Sequence, residues 1–139
     1  MKNKLEAHRN AFLLAFALTA FIIGAGGIQV ASAYDDDHVN YVQMTGLGLP
    51  WGFMVIETTA YNSGTQLGSV TVSQDCDTYF PLSVYGTGTG VAYLNSQQKL
   101  AYGTFSIYTL IFLFYTPTLY TEITYIPIDD FRYQDWWEY

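Results

Sequence analysis

The chain has 139 residues, twelve carboxylates against five Lys and Arg, and a formal charge of −7. Without a leader at residues 1–33, only Lys99 and Arg132 remain as cations against eleven carboxylates, a formal charge of −9. So acidic a surface repels phosphate backbones and anionic headgroups, which speaks against nucleic-acid binding and against membrane adhesion through a basic patch.

The first segment carries Lys2, Lys4 and Arg9, then an uncharged run from Ala11 through Ile23, and then Ala31-Ser32-Ala33. A basic start, an apolar middle and small residues at −3 and −1 of a cut are the order of a cleavable signal peptide, so cleavage is expected after Ala33. Gly24, Gly26, Gly27, Gln29 and Ser32 dilute the second half of the run, which favours a leader over a retained membrane anchor. The expected mature protein is a single domain, 34–139, secreted or held at the cell surface, with no stable membrane span.

All thirteen tyrosines follow residue 33, together with Trp51, Trp136 and Trp137. Abundant Tyr and Thr with scarce Lys, Glu and Leu favours strands over helices. In chain order, 34–38 reads as a loose acidic tail and 39–45 as a first strand, broken by Gly46-Leu47-Gly48-Leu49-Pro50. The stretch 52–61 is the second strand, Asn62-Ser63-Gly64 a turn, and 66–74 an alternating third strand that forms a hairpin with it. Asp75-Cys76-Asp77 reads as a loop, 78–85 as a short strand weakened by Pro81, and Gly86-Thr87-Gly88-Thr89-Gly90 as a turn. Then come strands at 91–95, 102–115 and 118–128, with Thr116-Pro117 as the turn between the last two. About seven strands with turns every 8 to 12 residues predict an all-β fold, a small antiparallel β-sandwich. A small outer-membrane barrel ranks lower, because eight tilted strands of about 9–11 residues would consume nearly the whole mature chain.

Two features bear on function. The run from Tyr108 to Tyr115 is apolar on both strand faces, so both faces are expected to be covered, by the chain's own tail or by a partner. The segment 131–139 ends in five aromatics, and segments of that composition dock rather than stay loose. Phe112, Phe114, Trp136, Trp137 and Tyr139 are therefore the interface candidates. Trp51, Tyr85 and Tyr93 are candidates for stacking on a ligand such as a sugar ring.

Cys76 is the one cysteine, so no intrachain bridge forms, and an interchain disulfide is the functional option for it. Its neighbours Asp75 and Asp77 disfavour a thiolate, so it is expected to be a poor nucleophile. The groups Asp35-Asp36-Asp37, Asp75 with Asp77, and Asp129-Asp130 supply oxygens of the kind calcium takes, without the spacing of an EF-hand loop. No other cofactor is implied.

No catalytic residue stands out. After cleavage His38 is the only histidine, which leaves nucleophiles without a base and zinc without a ligand set. Glu57 and Glu122 remain as carboxylates only by elimination, and the Gly-Thr repeat lacks the lysine and helix of a phosphate loop. The expectation is a non-enzymatic, self-assembling subunit of a coat, layer or filament, partnered by copies of itself or by another surface protein. A carbohydrate-binding or calcium-assisted module is the alternative.

Overall fold

Thr, Tyr and Val at alternating positions build long strands, and in the computed structural model no helix occurs among the described residues, 34–79, 82–127 and 130–139. The expected leader at 1–33 lies outside the described residues, and so does Asp129.

The strands are β1 (Asp35–Gly46), β2 (Leu49–Asn62), β3 (Leu67–Thr78), β4 (Ser83–Asn95), β5 (Gln98–Tyr108), β6 (Leu113–Tyr115), β7 (Thr118–Ile126) and β8 (Asp130–Glu138). They form two antiparallel sheets, β1-β2-β3 and β4-β5-β7-β8, with β6 added to β5. The fold is the expected small β-sandwich: seven long strands and one of three residues.

The seven are not those read from the sequence. The acidic segment is no loose tail. Asp35 pairs with Tyr61 and Asp37 with Thr59, so β1 starts four residues earlier than expected. Tyr34 anchors that end, its ring 5.2 Å from Phe131 and 6.4 Å from Tyr125. Asp75-Cys76-Asp77 is not a loop but the end of β3: the aspartates face solvent and Cys76 points inward. The glycine-rich stretch is not a turn but the middle of β4, so 78–85 and 91–95 are replaced by one strand. The Tyr102 hydroxyl lies where a Cβ on Gly90 would stand, so a cross-strand ring covers the bare glycine backbone.

The run 102–115 is not one strand. It folds back after Tyr108, closed by Thr109 N–H donating to Phe112 O at 3.0 Å. Ile107 pairs with Tyr115 and Thr104 with Thr118, so β6 and β7 hold one register against β5. Thr116-Pro117 is therefore an interruption in one returning strand, and the turn is at 109–112. Proline has no N–H for the ladder, and its carbonyl still accepts from Phe105 N–H at 2.9 Å.

The core lies between the sheets in two clusters. One holds Met44, Met54, Ile56, Leu82, Phe105, Ile107 and Leu119; the other holds Ala60, Leu67, Ala101, Ile123, Tyr125 and Phe131. Buried Thr58 and Thr121 sit between them. The unit from Ala31 onward thus contains its own core.

Side chains bridge the two sheets along one lateral opening and along part of the other. On one side alternate residues of β3 reach the backbone of β4. Thr78 Oγ1 donates to Leu82 O at 2.7 Å and Cys76 Sγ to Val84 O at 3.4 Å. In the amide orientation that satisfies both groups, Gln74 bonds Gly88 O at 3.3 Å and Gly88 N at 3.2 Å. On the other side β1 and β8 run parallel. His38 Nε2 meets Asp135 Oδ2 at 2.7 Å, and the His38 ring stacks on Tyr133 at 4.1 Å. Tyr133 OH donates to Asp36 Oδ2 at 3.0 Å.

Candidate interaction site at the apolar end

The β1–β8 seam is closed only in its first half. Further along, Met44, Trp51, Phe114, Tyr115, Trp137 and Tyr139 line an open cleft of about 330 Å³. It lies at the end of the sandwich that carries the β1–β2 turn, the β3–β4 connection, the β5–β6 turn and Tyr139.

That end is apolar and almost uncharged. Its three turns fall within 39–56, 78–98 and 100–121, stretches with no charged residue. Leu47 is 97% exposed, Leu110 75%, Ile111 87% and Phe112 62%. The apolar run of the β5–β6 hairpin is thus not buried on both faces, as its sequence suggested; a four-residue turn lifts its centre into solvent. Behind these tips stands a collar of rings. Tyr139 lies 4.7 Å from Trp137 and 5.3 Å from Tyr115, and Phe114 lies 4.9 Å from Tyr115. Burial first, and Tyr139 second, raise the Tyr115 hydroxyl above its ordinary range.

Leu47 also carries backbone strain. Its φ is +53° and that of Gly48 is +76°. With Gly46 paired to Leu49, these form a two-residue hairpin loop with two left-handed positions. Glycine or asparagine suits such positions; leucine is strained there. Sequence reasoning treated Gly46-Leu47-Gly48 only as a break. The discoverable signal was a large apolar residue where a tight turn requires a small or polar one.

Of the interface candidates, the structure brings Phe114, Trp137 and Tyr139 together in the cleft and places Phe112 at the adjacent tip. Strand alternation sends Trp136 to the outer face of the five-stranded sheet, stacked on Tyr120 at 5.3 Å. The ligand-stacking candidates separate. Trp51 lines the cleft, whereas Tyr85 pairs with Ser106 and Tyr93 with Lys99, an odd spacing on β5 that puts the two on opposite faces.

Cys76 is half-buried in the β3–β4 seam. Burial, chiefly, and then Asp75 and Asp77 raise its thiol above the ordinary range, while a hydrogen bond from Gly86 acts the other way. Among the described residues no three His, Cys, Asp or Glu side chains gather as metal ligands, and the pair Asp129-Asp130 lies partly outside those residues. Alternation turns Asp36 away from Asp35 and Asp37, while Asp75 and Asp77 accept from the next residues' N–H groups at 2.8 and 2.7 Å.

His38, expected in a tail, belongs to the lateral seam. Asp135 accepts from it and, at 2.6 Å, from the hydroxyl of buried Thr121. The threonine therefore bonds the carboxylate and not the imidazole, which is not the order of a nucleophile activated by a base. Burial first, then the Asp36 hydrogen bond and nearby Asp36, Asp130 and Asp37, push the Tyr133 hydroxyl far above its ordinary range. Glu57 lines a groove of about 430 Å³ with Asp37, His38, Thr59, Thr71 and Ser73 on the three-stranded sheet, and Glu122 accepts from Gln98 Nε2 at 3.2 Å on the other sheet. The chain matches no known protein-family model, no curated protein and no solved structure.

Proposed function

We propose that the mature domain is a non-enzymatic structural subunit of an extracellular or cell-surface assembly, and that it docks through its apolar end. The observation that carries this reading is the set of exposed, uncharged turn residues, Leu47 in one turn and Leu110, Ile111 and Phe112 in another, at one end of an otherwise acidic sandwich. Patches of that kind on soluble proteins mark interaction surfaces. The expected leader supports export, and the long strands, bridged by side chains between the sheets, supply a rigid body to carry the patch.

Light scattering behind size exclusion on residues 34–139, with and without detergent micelles, reductant and calcium, tests it. The wild type should associate with its own copies or with micelles, and Leu110→Ser with Ile111→Ser should abolish this without lowering the unfolding midpoint. Wild type and variant behaving alike, as monomers that take up no detergent, would overturn the reading. Loss of oligomers with reductant would give Cys76 a linking role.

A second reading rests on the cleft itself. Trp51 and Trp137 line a concave apolar site, the setting in which aromatic faces stack on small ligands such as sugars. Saturable quenching of tryptophan emission by a soluble glycan, lost in Trp51→Ala, would favour it.

A further inference from the structure

Building on the docking role assigned to the apolar end, we infer that its occupant is the interfacial layer of a lipid bilayer with electrically neutral headgroups. Side-chain polarity at this end is graded along the strands. Aliphatic side chains form the tips, with Leu47 in one turn and Leu110 and Ile111 in the other. Behind them come Trp51, Tyr79, Tyr108, Tyr115, Trp137 and Tyr139, side chains with an apolar body and a polar atom. Asp77 and Glu138 are level with this collar, and every other charged side chain of the described residues lies further back. A bilayer interface has the same order: hydrocarbon, then the headgroup zone where Trp and Tyr concentrate, then water. A protein interface has a different anatomy, with aromatic anchors at its centre and polar groups at its rim.

Charge selects the lipid. The cations Lys99 and Arg132 lie at the opposite end, opposite Ile123 and Thr124 on β7. The charged side chains nearest the collar are Asp77 and Glu138, both negative. Anionic headgroups are repelled by this arrangement, whereas the cationic choline of a zwitterionic headgroup meets those carboxylates favourably. The strained Leu47 fits the same role, since an exposed leucine held at a turn tip gains only when its side chain leaves water. No span is involved, as the tips reach no deeper than the outer hydrocarbon.

The test is co-flotation of residues 34–139 with phosphatidylcholine vesicles, followed by tryptophan emission. Binding with a blue shift is expected, weakened by adding phosphatidylglycerol at low salt and recovered at high salt. Leu110→Ser with Ile111→Ser should reduce partitioning by about tenfold or more, because each buried aliphatic side chain contributes on that order. Tyr93→Ser, at the opposite end, should leave it unchanged. No binding to phosphatidylcholine vesicles, with oligomers in solution that the double variant disperses, would overturn the lipid assignment and make a second copy the occupant, leaving the docking role intact. Binding that strengthens with phosphatidylglycerol would also overturn it. Neither vesicle binding nor association would overturn both.

Discussion

Leu47 joins two features that oppose each other in a purely structural residue: a left-handed backbone and a fully exposed aliphatic side chain. Leu47→Asn relieves the backbone and should stabilise the domain by about 1 kcal/mol, read as a higher denaturation midpoint. The same change should weaken docking, the trade of stability against function seen at strained sites. Stabilisation with docking unchanged would show that Leu47 takes no part. Cys76 is a second residue whose setting gives a sign. Because its thiol titrates higher in the folded state than in the unfolded state, the folded state keeps the proton when the unfolded chain has lost it. Its contribution is fully present below the ordinary thiol range and lost as pH rises through that range and beyond. The stability difference between wild type and Cys76→Ala should therefore shift against the wild type in alkaline solution. Alkylation of the native protein at neutral pH should be slow and should accelerate on unfolding.

At the scale of elements, the sheets approach closely where β5 lacks side chains. A Cβ on Gly103 would stand 2.6 Å from Ile56 Cγ2 and 3.1 Å from the Gln74 side-chain amide. Gly103→Ala should cost about 1–3 kcal/mol in chemical denaturation, because a packed core resists added volume. Gly88→Ala, which meets open space, should change stability by less than about 0.5 kcal/mol. These glycines also show what the sequence conceals. Alternation was legible at 66–74 and over the part of 118–128 that forms β7, because one face of each strand turns toward the core and the other outward. Gly86 and Gly90 of β4 read as turn residues because their covering comes from Gln74 and Tyr102, residues distant in sequence. Asp75-Cys76-Asp77 read as a loop because propensity ignores which way each side chain points. The 102–115 run hid its turn because Leu110, Ile111 and Phe112 are apolar, against ordinary turn chemistry. Of the site, the aromatic terminus and the tip residues Phe112 and Phe114 were legible by composition. The joining of Phe114, Trp137, Tyr139 and Trp51 in one cleft was not, since it depends on β1 and β8 meeting across the two sheets.

For the whole molecule, the β1–β8 seam couples sheets that share no strand. Asp135 accepts from both His38 and buried Thr121. Asp135→Ala leaves that buried hydroxyl without its acceptor and should cost about 1–3 kcal/mol in denaturant unfolding. An unchanged midpoint would show that water replaces the carboxylate there. The seam has a mechanical consequence as well. Tyr34 sits at the charged end of the sandwich and Tyr139 at the apolar end, so tension between them runs along β1 and β8. Ladder hydrogen bonds lie across the strands, so such a pull loads many of them in shear at once, and β1 must slide past β2 as a unit before any rung is free. A subunit held by its apolar end and tugged from the other would resist stretching far better than peeling from the side.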